Sequence, residues 1–314
     1  MIAIGIDVGG TSIKGATIKE GGKILDRFSM PTDKNLPPEE IFSPLCDTIV
    51  NLLKEKQYSE PIAGIGVAIP GTFNNKTGEV VNCPNLPTWA GFPVKKYIED
   101  KCHLFVKVVN DADAAALGEA KFGSGKDVNY MLMLTLGTGV GGGIVINKQI
   151  YNGNLGMGAE LGHMVIEVNG RPCGCGRKGC FEAYGSATAL IKETKRMMEE
   201  HPESLLNKYA EELGVVDARV AFLAEKAGDK YAKEIVDDYV MYLSEGILNY
   251  CNIFRPNAVV LSGGVANEGD NLLDRVRAYL KLHNYGMKNS PQVQIRQAEL
   301  GYDSGKIGAA ALFI

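Results

Sequence analysis

The sequence predicts a two-domain α/β protein, and three observations support this prediction. The chain has 314 residues, more than the roughly 250–300 at which a single hydrophobic core stops growing, so two domains are expected. Short apolar runs that are typical of strands alternate with longer helical patterns. A strand, glycine turn and strand occur in succession twice, around residues 7–14 and 137–143, which indicates an internally duplicated architecture.

The elements follow in order along the chain. In the first half, strands are predicted at residues 2–7, 13–18, 23–27, 62–69 and 105–109, with helices at 38–55 and 113–122. In the second half, strands are predicted at 131–136, 144–146, 258–261 and 293–298, with helices at 181–200, 217–227, 230–254, 271–283 and 304–314. We expect an N-terminal domain over 1–112, onto which the last helix (302–314) packs back, and a larger domain over 113–301. Because no flexible linker separates them, ordered crossings should join the domains.

Composition excludes several classes of protein. The chain is 45% hydrophobic and 22% charged, with a net charge of −4, as expected of a soluble globular protein without a nucleic-acid partner. No apolar run approaches the roughly 20 residues that a membrane span needs. The first residues lack the basic region of a signal peptide. We therefore expect a cytoplasmic protein with no membrane partner.

The glycine-rich segment 137–143 matches the pattern G-x-G-x-x-G. In a dinucleotide-binding fold a helix follows this pattern and its N-terminus holds the pyrophosphate. Here the strand pattern 144–146 follows instead, which disfavours a nicotinamide enzyme. The alternative is a glycine-rich hairpin whose N–H groups point at phosphate oxygens, because no Cβ blocks their approach.

Two further turns also combine glycine with groups that suit phosphate. At residues 7–14, a carboxylate from Asp7 can hold hydrated Mg²⁺, while the turn amides and the Thr11 hydroxyl contact phosphate. Lys14 either adds a positive charge there or simply faces solvent. A third turn, Ser262-Gly263-Gly264, follows a buried strand, although an ordinary connection between a strand and a helix explains it equally well.

The segment Asn110-Asp111-Ala112-Asp113 lies where a strand ends and a helix begins. Asn and Asp are favoured helix N-caps, but a cap needs one polar residue and three are present. A carboxylate at the end of a strand is where a general base for a sugar hydroxyl would lie. Either Asp111 or Asp113 fits that role from the residues alone.

Four residues have the composition of a structural zinc site. His163, Cys173, Cys175 and Cys180 supply one imidazole and three thiols, which suits tetrahedral Zn²⁺ with no open position. The chain has seven cysteines, an odd number that disfavours a disulfide framework. Glu160 and Glu182 flank this segment, and a zinc site would bring them together as polar groups for sugar hydroxyls.

These motifs, in this order, resemble the ROK (repressor, open reading frame, kinase) family over essentially the whole chain. The resemblance carried by Glu160-Leu161-Gly162-His163 and the three cysteines is the most specific. It implies an actin-like (ribonuclease H-like) two-domain sugar kinase fold with an interdomain cleft. Family members that repress transcription carry an N-terminal helix-turn-helix domain, for which we expect no room here because a strand begins at residue 2.

The resemblance also assigns roles to residues. Asp111 would be the catalytic base. The sugar would be bound by Gly71, Asn85, Asn110, Asp111, Glu160, His163 and Glu182. ATP, with Mg²⁺ near Asp7, would be bound by Asp7, Gly9, Gly10, Thr11, Lys14, Thr138, Gly139, Gly263 and Gly264. Zn²⁺ would be held by His163, Cys173, Cys175 and Cys180, with His163 linking the metal to the sugar.

The implied activity is transfer of phosphate from ATP to a hexose hydroxyl, and a homodimer is implied as well. Residues 85–89 are similar to those of the family's bacterial glucokinases, which favours phosphorylation of glucose to glucose 6-phosphate. A kinase for N-acetylglucosamine, N-acetylmannosamine or another hexose is the alternative. A sugar sensor without activity is a second alternative, which the retained Asp111 and glycine turns disfavour.

Overall fold

The structure is a computed structural model and describes residues 1–83, 86–285 and 291–314. Within these ranges the strands are β1 (Ile2–Val8), β2 (Ser12–Lys19), β3 (Lys23–Pro31), β4 (Ile62–Ile69), β5 (Thr72–Phe73), β6 (Val80–Asn82), β7 (Val106–Asn110), β8 (Tyr130–Leu136), β9 (Val140–Ile146), β10 (Gln149–Ile150), β11 (Ala258–Ser262) and β12 (Gln294–Gln297). The α-helices are α1 (Pro38–Lys56), α2 (Val94–Cys102), α3 (Asp111–Phe122), α4 (Glu182–Gly185), α5 (Ala187–Glu200), α6 (Leu205–Leu213), α7 (Ala218–Lys226), α8 (Lys230–Phe254), α9 (Asp270–His283) and α10 (Ser304–Ala310).

The chain forms two compact units. The first contains Met1–Asn129, Gly143–Ala159 and Glu299–Ile314, and the second contains Tyr130–Gly142 and Glu160–Ala298. This division differs from the boundary expected at residue 112, because α3 and residues 143–159 pack with the first unit. The sequence pattern marks where elements begin and end, whereas packing decides the unit to which each belongs.

The first unit is built on a sheet of order β3-β2-β1-β4-β7. Its first three strands are antiparallel, and β1, β4 and β7 are parallel. An aromatic cluster lies in the core beside α1: the ring of Phe42 is 5.0 Å from that of Trp89 and 5.4 Å from that of Phe92. Trp89 is fully buried, so the short 3₁₀ helix Pro87–Trp89 is anchored by its last residue.

The C-terminal helix α10 packs on β1, β4 and α3 in this unit. Small residues make this possible. A Cβ at Gly308 would lie 1.6 Å from the Ala114 carbonyl oxygen of α3, and one at Gly5 would lie 1.8 Å from the Lys306 carbonyl oxygen. The buried Glu119 carboxylate also accepts hydrogen bonds from the backbone N–H groups of Glu299 (3.2 Å) and Leu300 (2.7 Å). Backbone contact and a buried carboxylate therefore fasten the C-terminus to α3.

The second sheet has the order β10-β9-β8-β11-β12, in which β8, β11 and β12 are parallel. In the second unit, helices α5, α7, α8 and α9 pack together, and α9 also contacts β12. Among the residues described, no helix combines the length and the apolar character that a membrane crossing requires.

Two local predictions are corrected by the structure, and several short elements were missed. The helix predicted over 181–200 is interrupted at Ser186, whose extended backbone and side-chain oxygen cap α5 by accepting from the Ala189 N–H at 3.1 Å. The turn predicted over 137–143 is shorter, because β9 begins at Val140. Helices α2 and α6 and the hairpin of β5 and β6 were not predicted, because each is shorter than the stretch over which a periodic pattern can be recognised.

Candidate functional site

The N-terminus of α3 is organised by Asn110, the last residue of β7. Its Oδ1 accepts hydrogen bonds from the N–H groups of Ala112 (2.9 Å) and Asp113 (3.3 Å), so Asn110 is the helix cap. Its Nδ2 donates to the carbonyl oxygen of Gly71 at 3.1 Å. Gly71 has φ +99°, and a Cβ there would lie 2.2 Å from the Asn82 carbonyl oxygen. Asn110 thus fixes both the helix start and the Gly71 turn.

Asp111 and Asp113 occupy different environments. Asp111 is the first residue of α3 and its side chain is exposed, with Oδ1 accepting from the Ala112 N–H at 2.9 Å. Asp113 is 4% exposed. Of the two carboxylates that the residues alone left open, Asp111 is therefore the one that is accessible to solvent.

The first glycine turn follows β1. The Gly9 N–H donates to the Ser12 carbonyl oxygen at 2.9 Å, which closes the turn and leaves Gly10 and Thr11 exposed. Asp7 is half-buried, and burial raises its pKa, while the charges of Lys306 and Lys14 lower it in part. A partly desolvated carboxylate beside exposed turn amides fits Mg²⁺, whose preferred ligands are oxygens.

The second glycine turn is confined to residues 137–139. The Gly137 N–H donates to the Gly139 carbonyl oxygen at 3.0 Å, and the exposed Thr138 lies between them. The later glycines of the motif lie in β9 and serve packing: a Cβ at Gly142 would lie 2.6 Å from Leu161 Cδ1. The turn is therefore shorter than the run of glycines in the sequence suggested.

Glu182 lies at the start of α4 and touches both this turn and the cysteine cluster. Its Oε2 accepts from the Val140 N–H at 3.0 Å, and its Oε1 accepts from the Cys173 thiol at 3.5 Å. A Cβ at Gly139 would lie 2.2 Å from Glu182 Oε2. The Glu182 carboxylate therefore occupies the space that a side chain at residue 139 would need.

The third glycine turn follows β11. Gly263 has φ +90°, and a Cβ there would lie 2.5 Å from the Leu136 carbonyl oxygen. Gly264 is exposed, and a Cβ on it would meet no atom of the described residues within 4 Å. The backbone at Gly264 is therefore open to a ligand.

The predicted zinc ligands form one cluster. One ligand atom from each of His163, Cys173, Cys175 and Cys180 lies within 4.8 Å of the others. Cys175 Sγ is 3.7 Å from Cys180 Sγ, and Cys173 Sγ is 3.7 Å from His163 Nδ1. Zn–S bonds of about 2.3 Å at tetrahedral angles place sulfur atoms about 3.7 Å apart. The four residues therefore fit zinc.

The local backbone supports this cluster. Bridges between Val165 and Cys180 and between Pro172 and Lys178 bring its two ends together. A backbone hydrogen bond from Arg177 lowers the pKa of the Cys175 thiol, whereas burial raises the pKa values of the Cys173 and Cys180 thiols. Arg177 also donates to the His163 carbonyl oxygen at 3.1 Å. The sequence patterns did not single out Arg177, although its position between two ligands is a signal for such a role.

Each predicted site residue except Asn85 can be assigned to one of the two units. The first unit holds Asp7, Gly9, Gly10, Thr11, Lys14, Gly71, Asn110 and Asp111. The second unit holds Thr138, Gly139, Glu160, His163, Cys173, Cys175, Cys180, Glu182, Gly263 and Gly264. Asn85 lies outside the described residues. Lys306 near Asp7 was missed; a lysine inside the otherwise small and apolar run of α10 is the sequence signal for it.

Two α/β units with glycine turns at strand ends define an actin-like α/β fold. The second unit also carries the cluster of one histidine and three cysteines that fits a metal ion. The chain belongs to the ROK family, whose profile matches residues 3–314. The family and the fold class predicted from the sequence are thereby confirmed.

Curated relatives and solved structures agree with this assignment. The chain is 38% identical to a glucokinase of Halalkalibacterium halodurans, over 98% of this chain and 94% of the relative. It is similar to the crystal structure of a ROK family glucokinase from Streptomyces griseus in complex with glucose and AMPPNP (32% identity, TM-score 0.77, covering 100% of this chain and 99% of the other). It is also similar to a ROK hexokinase from Thermus thermophilus (31% identity, TM-score 0.81, covering 99% and 97%).

Proposed function

We propose that this chain is an ATP-dependent hexose kinase that phosphorylates glucose at O6. The observation that carries the proposal is the exposed Asp111 carboxylate at the end of β7, held beside Asn110 at the N-terminus of α3. The likeness to glucokinases along nearly the whole chain supports the choice of reaction and of substrate. The proposed product is glucose 6-phosphate.

Asp111 acts as the general base in this proposal. Its carboxylate accepts the proton of the attacking hydroxyl while the oxygen bonds to the γ-phosphorus and ADP leaves. Asp111 lies at the N-terminal end of α3, the end of a helix at which negative charge is favoured. Asp113 is excluded from this role in our proposal because it is buried.

Residues at the glycine turns bind ATP in this proposal. Exposed backbone at Gly10 and Gly264 and the exposed side chains of Thr11 and Thr138 suit phosphate oxygens. Bound Mg²⁺, held through Asp7, would neutralise the charge that develops on the phosphates. Lys14, in β2 directly after the first of these turns, adds a positive charge.

The sugar is bound by neutral and acidic groups. The proposed contacts are Gly71, Asn85, Asn110, Glu160, His163 and Glu182. His163 also belongs to the cluster that fits zinc, with Nδ1 facing Cys173, so its other ring nitrogen is left for the sugar. A structural Zn²⁺ held by His163, Cys173, Cys175 and Cys180 would keep this ring in one orientation.

Sugar-dependent ADP formation tests the proposal. Purified protein with Mg·ATP is expected to form ADP rapidly with glucose and slowly without it, and glucose 6-phosphate should accumulate in equal amount. Binding of glucose without any ADP formation would instead identify a sugar sensor. A product made only from N-acetylglucosamine or N-acetylmannosamine would leave the kinase class standing and move the substrate.

We also propose that the protein is cytoplasmic and forms a homodimer. The seven cysteines, three of them in the metal cluster, suit the reducing cytoplasm. The family resemblance extends the proposal to a homodimer. Light scattering coupled to size-exclusion chromatography measures the mass against the 33.8 kDa of one chain.

A further inference from the structure

Glu182 holds the backbone of the second glycine turn in place. Its Oε2 accepts from the Val140 N–H at 3.0 Å, directly after the turn. The other end of the turn is held by the neighbouring helix, since the Gly137 carbonyl oxygen accepts from the Ala187 N–H of α5 at 2.8 Å. The first residue of α4 and the first residue of α5 therefore each form a hydrogen bond to one end of the turn.

A side chain at Gly139 would collide with the Glu182 carboxylate. A Cβ at this position would lie 2.2 Å from Glu182 Oε2 and 3.1 Å from its Cδ. Because real Cβ contacts do not reach such distances, an alanine would displace either the carboxylate or the turn. The Glu182 carboxylate thus has this position because residue 139 carries no side chain.

We propose that Glu182 is a positioning residue for the nucleotide-binding turn 137–139, in addition to its proposed contact with the sugar. The inference rests on the proposed function, because that function makes this turn a site for ATP. A carboxylate that accepts a backbone N–H forms a charge-assisted hydrogen bond, which is stronger than a neutral one. Losing it frees the turn that presents Thr138, and nucleotide binding then includes the cost of ordering it.

The test measures ADP affinity by calorimetry with Mg²⁺ and without sugar, so that contacts to the sugar do not enter. Glu182→Ala is expected to raise the Kd for ADP about tenfold, a change that corresponds to about 1.4 kcal/mol. Glu182→Gln keeps an oxygen that can accept from the Val140 N–H but lacks the charge, so its Kd should lie between that of wild type and that of Glu182→Ala. Glu160→Gln is the matched control: it alters another proposed sugar ligand and should leave ADP affinity unchanged.

A double-mutant cycle tests the packing argument. Gly139→Ala alone is expected to weaken ADP binding about tenfold, but in the Glu182→Ala background it should add less than about twofold, because the clashing carboxylate is gone. Strictly additive effects of the two changes would overturn the proposal. So would unchanged ADP affinity in Glu182→Ala.

Zinc content and the wild-type control separate the remaining explanations. Glu182→Ala should retain the zinc stoichiometry of wild type; loss of zinc together with ADP affinity would place the effect in the cysteine cluster and overturn the proposal. If the wild-type protein itself binds no ADP, the proposed function fails. If wild type and Glu182→Ala bind ADP equally, the function stands and only the role of Glu182 is wrong.

Discussion

Asp111 and Asp113 lie two residues apart in the first turn of α3, yet Asp111 is exposed to solvent, whereas Asp113 is buried, with only 4% of its surface exposed. The helix turns by about 100° per residue, so residues two apart point in very different directions. One carboxylate therefore faces solvent and the other faces the interior. The choice of base depends on this difference.

Replacing Asp111 by Asn should abolish most turnover. The amide keeps the shape and much of the hydrogen bonding but cannot accept the proton, so kcat is expected to fall by about 10²–10⁴, or roughly 3–5 kcal/mol of barrier. Glucose affinity, measured separately by calorimetry, should be largely retained. Asp113→Asn is the control, and if it lowers kcat more than Asp111→Asn does, the assignment of the base is wrong.

Replacing Cys175 by Ser should remove the metal and weaken sugar binding together. Metal analysis of the wild-type protein is expected to find about one Zn²⁺ per chain. The variant loses one of four ligands, and His163 then loses the constraint that orients its ring. Cys251→Ala, which alters a buried thiol of α8 outside the cluster, should keep the zinc. Full glucose affinity in verified zinc-free protein would contradict the proposed coupling.

Glucose should be the sugar with the highest kcat/KM. The proposed ligands are amides, acids and one His, which suit neutral hydroxyls and disfavour sugar acids. Mannose and glucosamine are expected to be weaker substrates and fructose a poor one, because a site shaped around hydroxyl groups discriminates against altered positions. Steady-state kinetics over these sugars and the N-acetylated hexosamines measures this. An advantage of tenfold or more for an N-acetylated sugar, about 1.4 kcal/mol, would replace glucose as the substrate.

Gly308→Ala should destabilise the first unit. The new Cβ would lie 1.6 Å from the Ala114 carbonyl oxygen, and such overpacking costs about 1–3 kcal/mol. Urea unfolding measures the free energy of unfolding. Gly264→Ala serves as the control, because its backbone is right-handed helical and its surroundings are open, so its unfolding free energy should be unchanged or slightly higher. Equal stability of both variants would refute close backbone contact between α3 and α10.

Asp303→Asn should lower stability at neutral pH and matter little in acid. Hydrogen bonds from Arg27 at 2.6 and 2.7 Å lower the pKa of Asp303, and Lys306 at 2.5 Å contributes. Because the folded pKa lies below the unfolded value of about 3.9, the ionised carboxylate stabilises the fold above about pH 4. This contribution is lost as the pH falls through the folded pKa.

Unfolding measured between pH 7 and pH 2 tests this pH dependence. The difference between wild type and Asp303→Asn should be about 1–2 kcal/mol at pH 7, because the pair with Arg27 is partly exposed to solvent, and should shrink below about pH 4. Asp100→Asn, which alters an exposed pair with Lys96 on one helix, should change stability by less than about 1 kcal/mol at every pH. A difference for Asp303→Asn that does not vary with pH would contradict the ionic origin.

The sequence by itself determined the family, the fold class and most of the central strands. Apolar runs of β-branched residues predicted β1, β4 and β11 because a strand buried on both faces is almost continuously apolar. The cluster of His163 with three cysteines was also predicted, since a metal site is specified by the chemistry of its ligands. These features are local, so neighbouring residues suffice to recognise them.

Only the tertiary structure shows which distant parts of the chain a given residue or helix packs against. The glycines of residues 137–143 look alike in sequence, yet Gly139 makes room for Glu182 and Gly142 for Leu161. Likewise, residues 113–129 belong to the first unit because α3 packs against α10, almost 200 residues further along the chain. No pattern within α3 encodes that partner. Packing is a property of the surfaces that meet, and a single sequence shows only one of them at a time.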